Sequence, residues 1–229
     1  MIEFKLRGVD FNFLKENNQS ISNFDWFVNY LKEGNWENFT FEIFEECSNP
    51  NKIALDVGAW IGPTSIWLSK NFKEVYSFEP DPVAFEALKK NLASNNCNNV
   101  FPIGKALYKT KTTLGFGLNP EFAHEGPGAS TSQIKAESPE FLVETTTFSE
   151  LSKIIPFDQI GLVKVDIEGA EEFIIDDLFE YAEIHKWNVL IEIHPQFMSE
   201  KGLANFQNVI SKTFSKVKEG DNQKFFRFY

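Results

Sequence analysis

A carboxylate, Asp56, opens the stretch Asp56-Val57-Gly58-Ala59-Trp60-Ile61-Gly62, where two glycines frame a short loop. Glycine lets a backbone turn sharply and approach a ligand closely. A loop that holds a pyrophosphate on a helix N-terminus collects positive potential, and an anion inside it works against that. Asp56 therefore favours a zwitterionic ligand, whose ammonium group it attracts, over a phosphate-bearing one. The glycine spacing also differs from the Gly-x-Gly-x-x-Gly of a nicotinamide site. Further on, Glu79 stands in Ser77-Phe78-Glu79-Pro80-Asp81. An acidic side chain in that register accepts hydrogen bonds from the hydroxyls of a ribose, each contributing roughly 1.5–3 kcal/mol. Asp81 reads as a helix cap. Gly104, Lys105, Ala106 and Leu107 fall where the edge of an adenine would lie, a reading that rests on position alone.

Two later clusters carry candidate acid–base groups. In Lys164-Val165-Asp166-Ile167-Glu168-Gly169-Ala170-Glu171, Lys164 and Asp166 share one face of a strand, opposite Val163, Val165 and Ile167. Buried strands seldom carry such charges without partners. Glu171 reads either as part of this set or as a first-turn helix charge favoured by the dipole. In Ile191-Glu192-Ile193-His194-Pro195, Glu192 and His194 alternate with apolar residues at a strand end. A histidine near neutral pH takes a proton from a hydroxyl. His124, in a glycine-rich loop, and His185, between a helix and a strand, are weaker candidates.

The elements that must position these groups alternate. Strands are expected over 52–57, 74–80, 100–107, 161–167 and 188–194, with helices over 63–72, 81–95, 170–180 and 199–214. Pro63 and Pro82 sit in first turns, where a missing N–H costs nothing. Such alternation predicts an α/β fold with a mostly parallel sheet covered on both faces. We expect a Rossmann-like domain over 51–229 with seven strands. Residues 217–229 form a hairpin whose last strand enters antiparallel, turning near Gly220. Residues 107–146 interrupt the pattern with a strand at 112–118 and the Gly/Pro/Ser-rich loop 119–132, and a short helix at 148–155 follows. Residues 1–50 form an N-terminal cap: a hairpin around Gly8, then an aromatic-rich segment that is helical from Phe24 to Tyr30. Core padding and a substrate-binding role both fit this cap.

The bulk properties exclude some classes. A formal net charge of −11 repels nucleic-acid backbones and anionic membrane surfaces. Two cysteines, Cys47 and Cys97, build neither a disulfide framework nor a metal-type Cys/His spacing, and they fit a reducing cytoplasm. No apolar run reaches the roughly 20 residues of a membrane span, and the N-terminus lacks the apolar block of a signal peptide.

DVGAWIG, SFEPDPVAFEALKKN, VETTTFSEL, VKVDIEGAEE and LIEIHP follow one another in the order and register of the FkbM family of methyltransferases, which the chain resembles from about Trp36 to Pro195. The resemblance implies a class I methyltransferase fold and S-adenosyl-L-methionine as the methyl donor. The acceptor it implies is a hydroxyl of a glycan, polyketide or other secondary metabolite. By position it assigns Asp56, Gly58 and Gly62 to the cofactor loop, and Ala59 and Trp60 between them are expected to contact the cofactor. It assigns Glu79 to the ribose and matches Asp166, Glu168 and His194 to the family's later motifs; Pro80 beside Glu79, Gly104 and Ala106 at the adenine, and Asp166 are expected to bind the cofactor. The catalytic candidates are His194 and Asp166 as alternative bases, with Glu168 and Glu192 beside them. The family loop usually carries Asn where this chain has Trp60, which leaves the acceptor open. Asp166, Glu168 and Glu192 are hard oxygen ligands of the kind Mg²⁺ accepts, but no metal site is predicted. A glycan is the expected acceptor, because a polar cleft and the loop 119–132 suit a polyhydroxylated ligand. The rival readings are a nicotinamide-dependent oxidoreductase and a binding module that has lost catalysis. Oligomeric state is open.

Overall fold

A computed structural model describes residues 2–15, 21, 24–34, 36–118, 132–134, 139–213, 216–220 and 222–228. The chain begins with β1 (Ile2–Leu6), β2 (Val9–Phe13), α1 (Phe24–Lys32) and α2 (Asn38–Cys47). Alternating elements follow: β3 (Asn49–Val57), α3 (Pro63–Asn71), β4 (Phe72–Phe78), α4 (Pro82–Ser94) and β5 (Val100–Ile103). After β6 (Ala106–Leu107), β7 (Thr113–Leu118), β8 (Ser132–Ile134), β9 (Phe141–Thr146) and α5 (Phe148–Leu151) the alternation resumes. It runs through β10 (Ile160–Val165), α6 (Ile175–His185), β11 (Asn188–Glu192), α7 (Glu200–Lys212), β12 (Lys216–Glu219) and β13 (Gln223–Arg227).

Seven strands form one sheet in the order β12-β13-β11-β10-β3-β4-β5. β3, β4, β5, β10 and β11 run parallel, and β13 is antiparallel to both its neighbours. The chain winds outward from β3 to β5 on one side and from β10 to β11 on the other. The switch point between β3 and β10 is where open α/β sheets bind ligands.

Side-chain alternation builds two cores. Ala54, Leu162, Leu190 and Phe225 face α2, α3 and α4, meeting Phe41, Phe44, Ile66 and Leu88. Leu55, Val163, Val189, Ile191 and Phe226 face the other way, meeting Phe148, Leu178 and Phe206 of α5, α6 and α7. Each fully buried aliphatic or aromatic side chain of this kind contributes about 1.5–3 kcal/mol. Local caps fix the helix starts. The Asp81 carboxylate accepts from the N–H groups of Val83 (2.7 Å) and Ala84 (3.2 Å) at α4, and Ser199 Oγ accepts from Gly202 N–H (2.9 Å) at α7.

Described residues of the N-terminal segment share the core of the main sheet. Phe11 and Phe13 of the β1–β2 hairpin are fully buried against it, and the Asn12 N–H donates to Asn95 Oδ1 at 2.8 Å. α2 lies on β11 and β13.

Two expectations are corrected. The interruption at 107–146 contains a second sheet, order β6-β9-β7-β8, not a lone strand and loop. β9 was hidden because apolar Leu142 is exposed while polar Thr145 and Thr146 are buried beside Val143. The helix expected over 170–180 is a 3-10 turn at Ala170–Phe173, broken at Ile174, and then α6, which runs on to His185. The loop residues 119–131, with His124, lie outside the described residues. Among the described residues, no helix is long and apolar enough to cross a membrane.

Candidate active site

At the end of β3 the backbone passes through left-handed conformations at Gly58 (φ 85°), Trp60 (φ 47°) and Gly62 (φ 98°). A Cβ at Gly58 would lie 1.7 Å from the carbonyl oxygen of Asp166, so only glycine lets this loop touch the end of β10. The N–H groups of Gly58 and Ala59 donate to Phe78 O, each at 3.0 Å, and tie the loop to β4. Asp56 stands behind the loop and is fully buried. Its Oδ2 accepts from Thr64 Oγ1 (2.7 Å) and Ser65 Oγ (2.5 Å), both in the first turn of α3. Its Oδ1 has no hydrogen bond and lies 3.5 Å from Lys164 Nζ.

Asp56 of β3 is the partner that the charge of Lys164 on β10 required. The Lys164 ammonium donates to Gly58 O at 2.7 Å and lies 3.3 Å from Asp166 Oδ2. Burial works against its charge, but the carboxylates of Asp166 and Asp56 outweigh that and raise its pKa.

Glu79 is buried on the other side of the loop. Its Oε2 accepts from the Trp60 N–H and its Oε1 from the Asp81 N–H, both at 2.8 Å. Burial pushes its pKa up to about 8, against the pull of the two backbone donors.

The acidic groups meet at the carboxyl ends of β10 and β11. His194 Nε2 faces three carboxylates: Glu168 Oε2 at 3.6 Å, Glu192 Oε1 at 3.8 Å and Asp166 Oδ1 at 3.9 Å. Nδ1 lies 3.3 Å from Glu171 Oε1. Burial lowers the basicity of His194, but the hydrogen bond to Glu171 and the charges of Glu168 and Asp166 win, raising its pKa to about 9. Burial and the Asp166 charge push Glu168 up to about 8. Burial, Asp166 and Glu37 push Glu192 up to about 7. Gln223 of β13 donates to both Glu192 Oε2 (2.8 Å) and Glu37 Oε2 (2.7 Å), so it bridges the strand to the start of α2.

One pocket joins these parts. Of the residues singled out from the sequence, Gly58, Ala59, Trp60, Glu79, Pro80, Lys105, Ala106, Leu107, Lys164, Asp166, Glu168, Glu192 and His194 line it. Asp56, Gly62 and Gly104 do not. Asp56 is covered by its own loop, Gly62 begins α3 beneath Leu88, and Gly104 turns toward the ring of Phe85. His185 stacks on Tyr181 and Trp187, away from the pocket.

Glu171, which the sequence left open between this acidic set and a first-turn helix charge, belongs to the set. It is fully buried, and its carboxylate accepts from the N–H groups of Ile167 (3.0 Å) and Gly169 (2.9 Å). Its place three residues after Glu168 was the available signal. Trp26, Phe27 and Trp36 of the N-terminal segment and Phe116, Ser132 and Ile134 of the second sheet also line the pocket. Trp60 turns its ring edge-on to Phe27 at 4.7 Å between centroids, joining the loop to α1.

The strand order, the glycine turn after the first parallel strand and the buried acid after the second define a Rossmann-like class I methyltransferase architecture. The Methyltransferase FkbM domain matches residues 56–219, and the chain belongs to the FkbM methyltransferase family. It is similar to the crystal structure of a methyltransferase FkbM from Methylobacillus flagellatus KT, at 17% identity and a TM-score of 0.50. That match covers 94% of this chain and 57% of the other, so this chain spans little more than half of that protein's length. A protein described as an rRNA-methylase from Clostridium thermocellum matches at 10% identity and a TM-score of 0.52, over 83% of this chain and 94% of that one. An O-methyltransferase from Bacillus cereus, in complex with SAH, matches at 12% identity and a TM-score of 0.47, over 83% and 79% of the two chains. No curated protein matches the chain.

Proposed function

We propose that this protein is an S-adenosyl-L-methionine-dependent O-methyltransferase acting on a hydroxyl of a glycan or related polyhydroxylated metabolite. The observation that carries the reading is the placement of a glycine turn with a buried ribose-type acid beside an acid–histidine cluster in one pocket. The donor set fits the cofactor. Glu79 is a buried carboxylate whose ionised form is disfavoured, so it gains from further donors, and two ribose hydroxyls provide them. Gly58, Ala59 and Trp60 would hold the amino-acid end, and Pro80 and Ala106 the adenosine. Asp56 acts from behind, keeping the loop in shape through Thr64 and Ser65. When bound, the cofactor supplies an electrophilic methyl group on a sulfonium.

The chain then has to orient the acceptor and take its proton. Positioning of two reactants accounts for much of such an acceleration. Asp166, between the cofactor loop and His194, is placed to hold or deprotonate the hydroxyl. The ring of His194 is already engaged by Glu171 through Nδ1, and the carboxylate of Asp166 is the better first acceptor. Glu168 and Glu192 keep the hydroxyl-facing side polar, which suits a sugar better than an aromatic ring. The net charge of −11 supports a small or glycan acceptor over nucleic acid. The buried free thiols of Cys47 and Cys97 suit a reducing cytoplasm.

The test is a thermal shift with S-adenosylhomocysteine on wild type and Glu79→Ala. At about 100 times its dissociation constant the ligand stabilises the native state by roughly 2.7 kcal/mol. The expected result is a clear rise in Tm for wild type that shrinks in Glu79→Ala. A folded wild-type protein that responds to NAD and ignores S-adenosylhomocysteine would overturn the proposal.

A further inference from the structure

We infer that Nε2 of His194 and the carboxylates of Asp166 and Glu168, with Glu192 beside them, form a divalent-cation site on the floor of the pocket. The donor atoms of Asp166, Glu168 and His194 lie within 4.8 Å of one another. Nε2 stands 3.6–3.9 Å from one oxygen of each of the three carboxylates. Two donors that each sit about 2.1 Å from one ion stand at most about 4.2 Å apart. The three distances from Nε2 fall inside that limit, as donors to a shared cation require.

The simplest rival is an imidazolium that balances the carboxylates. It would donate Nε2–H to one of them at about 2.7–2.9 Å, as charge-assisted bonds do. None approaches closer than 3.6 Å, and Nε2 makes no hydrogen bond among the described residues.

A second observation comes from the far side of the ring. The His194 side chain is only 10% exposed, and its Nδ1 faces Glu171 Oε1 at 3.3 Å. Glu171 is in turn anchored by the N–H groups of Ile167 and Gly169. This buried carboxylate holds the proton on Nδ1 and leaves the Nε2 lone pair aimed into the cluster. Metal-bound histidines are oriented in this way by an outer carboxylate. Charge points the same way. Four carboxylates surround one imidazole, and the nearby ammonium of Lys164 is already shared with Asp56 and Gly58 O.

Three carboxylates and a single imidazole suit Mn²⁺ or Mg²⁺ better than a thiolate-seeking metal. The side of the cluster that faces the pocket is open for acceptor oxygens. That role in holding a hydroxyl rests on the O-methyl transfer reading, whereas the site itself does not.

The experiment is a titration of chelator-stripped, full-length protein with Mn²⁺, following free Mn²⁺ by electron paramagnetic resonance. Circular dichroism checks the fold of each sample. Wild type should take up one ion per chain. His194→Ala should weaken uptake at least about tenfold, and Glu171→Gln, which touches no ion, should weaken it about 10–100-fold. If either variant fails to fold, Glu168→Gln and the wild-type stoichiometry decide. Absence of uptake by folded wild type at 1:1 and in about tenfold excess overturns the site, as does uptake that none of the folded variants alters. S-adenosylhomocysteine stabilisation without Mn²⁺ uptake would sink the metal site and leave the methyltransferase reading standing. Mn²⁺ uptake without that stabilisation would do the reverse.

Discussion

Glu79 shows how burial turns a carboxylate into a sensor of its ligand. Burial pushes its pKa from 4.5 to about 8 while two backbone N–H groups favour the charge. In the empty protein it therefore carries a proton below about pH 8. Ribose hydroxyls are donors and need the carboxylate form, so binding releases that proton. The affinity for S-adenosylhomocysteine should rise from pH 6 to about 8 and level off above, by at most about tenfold per pH unit. Calorimetric titration across this range checks it, and the difference between wild type and Glu79→Gln isolates this residue. A wild-type curve that runs parallel to the variant's would show that Glu79 does not accept from the ligand. The same shift has a stability side. Between about 4.5 and 8 the folded state holds a proton that the unfolded state has lost, so this group's contribution to stability falls as pH rises through that window.

Among the elements, β3 and β10 matter most, because their carboxyl ends meet at the switch point. Lys164 reaches from β10 under the loop after β3, joining Asp56, Gly58 O and Asp166. Removing one partner from a buried ionic group leaves the others uncompensated, typically at a cost of 3–5 kcal/mol. Lys164→Met should lower stability by about that amount in urea unfolding, even though Met fills much the same volume. A loss within about 0.5 kcal/mol of zero, the usual range for surface substitutions, would mean that the ammonium does not hold the two strand ends together. The Asp56 Oδ1 atom, which has no hydrogen bond, is the group most exposed to that loss.

On the scale of the whole molecule, the N-terminal segment and the sheet form one packed unit around the pocket. Phe27 of α1 meets Trp36 at 5.2 Å and Trp60 at 4.7 Å between ring centroids, both edge-on. Edge-to-face aromatic pairs add about 0.5–1.5 kcal/mol beyond burial. Trp60→Asn, which restores the residue usual in the family loop, should loosen α1 from that loop. Hydrogen exchange should then quicken in α1 by several-fold and leave β3 unchanged. Equal exchange in both proteins would show that α1 is held by Phe13 and its neighbours alone.

Much of this arrangement was legible in the residues. The alternation of Ala54, Leu55, Asp56 and Val57, then of Leu162, Val163, Lys164 and Val165, announced a sheet with two buried faces, because a strand points successive side chains to opposite sides. Gly58, Glu79, Asp166, Glu168, Glu192 and His194 could be placed at strand ends for the same reason, since parallel strands present all their carboxyl ends on one edge. Such local and periodic signals need no knowledge of what lies across the fold. The rest depended on distance in space. Nothing in the spacing of Asp166, Glu168, Glu171 and His194 states that three oxygens converge on one ring nitrogen while a fourth carboxylate holds the other. Nor does it state that Asp56 and Gly104 turn away from the pocket, or that Trp60 packs on α1. Those relations arise when loops from separate strands pack against each other, and only the tertiary structure decides them.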